Sequence, residues 1–184
     1  MNNYFIIHGS FGNSNEHYLP WLKNQLEKQG EVVCLDFPIG VNIQNYKNWA
    51  KTLDPYKNKI NKNSIFITRS IGCVFAIKYI IQNNLHIKKL VSISGFNNYF
   101  VNDDNYNNVN QSMYVDNLKT FCKHCNQTIC IISENDPYVD LSVLKNFANT
   151  ISTKIINIKS GGHFNDESGY GEKFEEVLNI VNNP

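Results

Sequence analysis

No stretch of this sequence approaches the ~20 consecutive apolar residues that a membrane-crossing helix requires. An excess of charge is also missing. Lys and Arg number 17 against 16 Asp and Glu, for a net charge of +1. They are spread along the chain, which argues against nucleic acid as a partner. The amino terminus, Met1-Asn2-Asn3-Tyr4, lacks a basic region and passes directly into a strand pattern rather than a signal peptide. Cysteine occurs five times, an odd number that fits reduced thiols and a cytoplasmic setting. Cys122-Lys123-His124-Cys125 has the spacing of half a zinc site, but no second Cys or His cluster lies at a matching distance. It also precedes a strand, whereas a thioredoxin-like pair would follow one. Neither a metal nor a cofactor is expected. No repeat or linker interrupts the chain, and residues 1–184 read as one domain large enough to bury a core.

What the chain does contain is globular in character, 42% hydrophobic and 12% aromatic. Short apolar runs, continuous rather than alternating, predict strands buried on both faces, as in a parallel sheet. They begin at Tyr4, Val32, Ser64, Lys89, Thr128 and Ile155. Helical patterns separate them, over His17–Gln29, Ile43–Leu53, Ile71–Gln82, Leu118–Lys123, Leu141–Thr150 and Gly171–Val181. Six strands alternating with helices predict an α/β fold, one mainly parallel sheet covered on both faces. The asparagine-rich connection from Phe96 to Asp116 reads as irregular, a small flap at the mouth of a site.

The sequence is organised around Ser64-Ile65-Phe66-Ile67-Thr68-Arg69-Ser70-Ile71-Gly72. A strand breaks at Ser70 and resumes as an apolar helix, the pattern of a nucleophile elbow. The usual G-x-S-x-G has Thr68 in place of its first glycine, and threonine should crowd the turn. Arg69 reads as a solvated side chain, with recruitment of an anionic substrate as the alternative. Ligands in such sheets bind beyond the carboxyl ends of the strands. His8-Gly9-Ser10, Ser70, Asp136 and His163 each follow a predicted strand, and the order Ser, Asp, His is the α/β-hydrolase order.

Chemistry assigns the roles. A neutral alcohol such as Ser70 needs a base within hydrogen-bond reach. His163 would be that base, and Asp136 would hold its tautomer and stabilise the imidazolium. The amides of Ser10 and Ile71 would form the oxyanion hole. Each residue also has a plainer reading. His163 could cap a turn, and Asp136 before Pro137 could simply start one. Asp140, the rival acid, reads as a helix N-cap. His8 reads as a support for the oxyanion loop and Ser94 as pocket lining.

These residues resemble the small serine hydrolases related to retinoblastoma-binding protein 9 and the bacterial YdeN-type proteins, within the α/β-hydrolase superfamily. The resemblance rests on His8-Gly9, His17-Tyr18-Leu19-Pro20-Trp21-Leu22-Lys23, Ser70-Ile71-Gly72-Cys73, Asp136 and Gly161-Gly162-His163-Phe164, the last continuing through Asp166, Glu167 and Gly169. It implies a six-stranded sheet without a large lid, no cofactor, and nucleophile, acid and base at Ser70, Asp136 and His163. Thr68 and Arg69 stand where the family usually has Gly or Ala followed by His. The expectation is a serine hydrolase acting on a small acyl substrate, an ester, thioester or amide. A protein partner is not indicated. The alternatives are a non-catalytic binding module on the same scaffold and an acyltransferase.

Overall fold

A computed structural model describes residues 2–98, 100 and 103–183. Six strands, β1 (Asn2–Ile7), β2 (Gly30–Cys34), β3 (Ser64–Arg69), β4 (Ile87–Ile93), β5 (Cys125–Ser133) and β6 (Lys154–Ile158), form one sheet in the order β2-β1-β3-β4-β5-β6. Every neighbouring pair is parallel. The chain moves outward from β1 to β2, then returns to place β3 on the other side of β1. That reversal opens a crevice beyond the carboxyl ends of β1 and β3, the place where open α/β sheets bind ligands.

The period of two along the strands divides the core into two layers. On one face, Phe5, Ile7, Phe66, Leu90, Cys130 and Ile132 meet helices α2 (Tyr46–Leu53), α3 (Ile71–Gln82) and α5 (Leu141–Ile151). On the other, Tyr4, Ile6, Ile65, Ile67, Val91 and Ile131 meet α1 (Leu19–Leu26) and α6 (Glu175–Asn182). Helix α3 is buried from Ile71 to Ile77 without a break. It therefore has no polar face, as a helix enclosed by its neighbours should not. Phe75 packs edge-on against both Trp49 and Phe37. Each such buried aromatic contributes roughly 2–3 kcal/mol from area removed from water.

Several boundaries differ from the sequence expectation for local reasons. Helix α1 begins at Leu19 because His17 has φ 52°, outside the helical region. Helix α2 begins at Tyr46, where the Asn45 side chain accepts the Asn48 amide. Helix α6 begins at Glu175, after a non-helical Phe174 that is itself core. The connection over 96–116 is not wholly irregular. It holds a helix, α4 (Asp104–Asn110), capped by the Asp103 side chain on the Tyr106 amide, and a 3₁₀ turn at Gln111–Met113. Tyr99, Val101 and Asn102 of that connection lie outside the described residues. Among the described residues no helix is long and apolar enough to cross a membrane.

Candidate active site

The strand-to-helix turn at Ser70 forms despite Thr68. Ser70 stands at φ 54°, ψ −130°, a region that costs a non-glycine residue about 1–3 kcal/mol. Its amide donates to the Ile93 carbonyl at 2.9 Å, and its carbonyl accepts the Cys73 amide at 3.1 Å. Those two bonds hold the strained turn between β4 and the first turn of α3. Thr68 is buried, and its hydroxyl donates to the Val91 carbonyl of β4 at 3.3 Å. Gly72 is essential for close packing against β1 rather than against its own strand. A Cβ there would lie 2.3 Å from the His8 carbonyl oxygen.

Asp136 and His163, the residues expected as acid and base, meet across two loops. His163 Nδ1 and Asp136 Oδ2 are 2.8 Å apart. The same Oδ2 accepts the Ser94 hydroxyl at 3.0 Å, while Oδ1 accepts the amides of Tyr138 and Val139 at 3.0 and 3.1 Å. The Asp136 side chain is only 1% exposed. Burial pushes its carboxyl upward, but the bonds from His163, Tyr138 and Ser94 outweigh that and leave it below the ordinary carboxylate value. With Nδ1 engaged, Nε2 is the ring nitrogen that remains for the cleft. The loop bearing His163 is held from below. Gly161 donates to Ser133 Oγ at 2.9 Å and Gly162, at φ 52°, to Asn135 Oδ1 at 2.8 Å. Tyr138 stands edge-on to the His163 ring, centroids 5.2 Å apart.

The loop after β1 forms the opposite wall. His8 is buried and spans it, with Nδ1 2.7 Å from the Gly9 carbonyl and Nε2 accepting the Phe37 amide at 2.9 Å. That pattern fixes the neutral Nδ1–H tautomer, and burial lowers its pKa. His8 thus supports the loop, as its sequence position suggested. Ser10 is fixed by two residues that carried no sequence signal. Gln44 donates to its hydroxyl, and Asn110 of α4 does so at 3.0 Å. Gln44 also accepts the Phe11 amide at 3.0 Å. A Cβ on Gly9 would lie 3.1 Å from Ser70 Cβ, so the Ser10 loop passes directly beside the elbow. Ile71 opens α3 on the other side, its side chain in the core and its amide among the first of the helix.

Gly9, Ser10, Phe11, Arg69, Ser70, Tyr106, Tyr138 and His163 line one open cleft of about 530 Å³, with Phe96 and Phe100 at its side. Tyr106 lines the cleft together with Ser10 and Ser70, and burial pushes its phenol above the usual value. The 96–116 connection therefore does stand at the mouth of the cleft.

Three expectations are corrected. Ser94 is not pocket lining; it is fully buried and donates to Asp136. Arg69 is not solvated, being 7% exposed with its guanidinium between two loops. Asp140 does occupy the N-cap position of α5, but its side chain makes no capping bond. Among the described residues no cluster of three or more His, Cys, Asp or Glu could hold a metal, and all five cysteines are free thiols.

Known proteins share this fold. YdeN of Bacillus subtilis, which is named as a hydrolase, is 24% identical over 171 residues, spanning 90% of this chain and 87% of its own. The YdeN crystal structure superposes with a TM-score of 0.85 at 22% identity, covering 98% of this chain and 97% of the other. The ferulic acid complex of Est1E from Butyrivibrio proteoclasticus has the same fold, at TM-score 0.70 and 14% identity over 98% and 86% of the two chains. The fold is that of the α/β-hydrolases. Residues 4–183 match the Serine hydrolase family, and the chain belongs to that family.

Proposed function

We propose that this chain hydrolyses a small ester, thioester or amide through an acyl-enzyme on Ser70. The observation that carries the reading is the 2.8 Å pairing of Asp136 with His163 Nδ1 beside a serine held at φ 54° in the same cleft. Ser70 Oγ attacks the acyl carbon while its proton passes to His163 Nε2. The imidazolium is stabilised by Asp136, which keeps its own charge because four donors surround it. Charge on the former carbonyl oxygen falls to the Ser10 and Ile71 amides, each donor of this type being worth about 3 kcal/mol. His163 then returns its proton to the leaving group, whose bond to the acyl carbon breaks. A water, deprotonated by the same nitrogen, releases the acid and restores Ser70. The aromatic lining of the cleft suits an apolar acyl or leaving group.

Turnover of short p-nitrophenyl esters tests the reading. Wild type should hydrolyse them, whereas Ser70→Ala and His163→Ala should fall to background while melting near the wild-type temperature. Equal turnover by wild type and Ser70→Ala would overturn it, and absence of turnover in all would favour a binding module.

A further inference from the structure

Arg69 immediately precedes the proposed nucleophile, yet its side chain is 8% exposed. Taking a guanidinium out of water is expensive and is tolerated only with partners. Its partners lie on opposite walls of the cleft. Nη2 donates to the carbonyl oxygen of His163 itself, at 3.2 Å. Nη1 lies 3.5 Å from Glu16 Oε1, in the segment that follows the Ser10 loop. Nη1 is also packed over that loop, since a Cβ on Gly9 would approach it to 3.6 Å. A second tie joins the same two segments, His17 Nδ1 to Asp166 Oδ1 at 2.9 Å.

We propose that Arg69 is a positioning residue. Its rigid fork sets the backbone of His163 against the loop bearing Ser10, so that base and oxyanion donors keep one geometry about Ser70. This rests on the triad reading above. Recruitment of an anionic substrate is the weaker account. Nε is sealed from solvent and unpartnered, Nη2 is occupied by a carbonyl, and Nη1 already faces a carboxylate. An arriving anion would find Glu16 beside the guanidinium nitrogen it would have to use. Lysine replaces the fork only in part, because its ammonium is a compact donor on a flexible stem, whereas the planar guanidinium holds its two partners in fixed directions.

The experiment compares wild type, Arg69→Met, Arg69→Lys and Glu16→Gln on two esters, neutral p-nitrophenyl acetate and anionic p-nitrophenyl hemisuccinate. Labelling of Ser70 by a neutral fluorophosphonate is measured in parallel. Displacement of a reacting group by about 1 Å can cost on the order of 100-fold. Arg69→Met should therefore lose about 10- to 100-fold in kcat and in labelling rate, with KM changing less than about threefold for both esters. Arg69→Lys should recover only part of that loss, and Glu16→Gln should lose severalfold in kcat. A selective rise in KM for the anionic ester, with the neutral ester unaffected, would overturn the proposal in favour of anion recruitment. Unchanged kinetics in Arg69→Met would overturn it outright. Should Arg69→Met fail to fold, Arg69→Lys and Glu16→Gln decide by the same kcat and KM criteria. A wild-type protein that neither turns over esters nor takes the label would instead indict the triad.

Discussion

The two edges of the sheet bury polar groups for different ends. At the amino edge, Lys89 near the start of β4 is 2% exposed, and its ammonium donates to the Asn183 carbonyl and, at 3.0 Å, to that of Ile180. It closes the carboxyl end of α6. His124 does similar work, 2.8 Å from the Leu85 carbonyl. At the carboxyl edge, polar groups converge on one another across loops, with Arg69 Nε and Glu16 Oε1 left buried without hydrogen bonds. Backbone strain follows the same division. Among the described residues, the non-glycine residues with positive φ are Phe11, His17, Asn42, Ser70, Asn84, Ser94 and Phe164. All but Asn84 sit in loops that follow a strand, and Asn84, after α3, is a residue type that tolerates this conformation. Burial of a polar residue therefore does not mark a site. Convergence, strain and incomplete satisfaction together do.

Variants at the two edges should separate cleanly. The largest effect is expected for Asp136→Asn, which keeps the shape but not the tautomer control. Its kcat should fall roughly 10³- to 10⁴-fold, with a thermal midpoint close to wild type. Ser94→Ala removes one of four donors to the acid and should lower kcat about tenfold, measured on the same ester. At the amino edge, Lys89→Met should reverse the pattern. Losing bonds to two carbonyls should cost about 1–3 kcal/mol in urea unfolding while kcat stays within about twofold. A Lys89→Met enzyme that is stable but inactive would break the comparison.

Acid sharpens it further, because His8 belongs to the carboxyl edge and is held neutral by burial. Its folded pKa lies below its unfolded value of about 6.5. The stability it contributes is complete above that value and is lost as pH falls through the folded pKa. Unfolding free energy should thus decline below about pH 6.5 in wild type and less steeply in His8→Gln. Replacing Cys122 and Cys125 together by serine should change neither stability nor turnover appreciably.

The fold was largely legible because its strands are continuous apolar runs and its helices have clear faces. The nearness of Ser70, Asp136 and His163 was legible because each follows a strand and so lies at the same edge of the sheet. What escaped depended on which strands become neighbours. Ser94 reaches the acid only because β4 and β5 pair in register, Ser92 opposite Cys130 and Ile93 opposite Ile131. Gln44 and Asn110, far apart in sequence, both reach Ser10. Arg69 looked solvated because a charged residue usually is; only the closeness of Glu16 and the His163 carbonyl gives it a buried berth. Helix α4 was hidden by its asparagines, which are weak helix formers and gain support here from the Asp103 cap and from bonds of Asn107 to the Phe100 backbone.

The most direct test of the central claim is the intact mass of the protein after exposure to a fluorophosphonate probe, wild type beside Ser70→Ala. An activated serine predicts one adduct on wild type and none on the variant. A folded wild type that takes no adduct, or an adduct that survives in Ser70→Ala, would contradict the assignment of Ser70 as nucleophile.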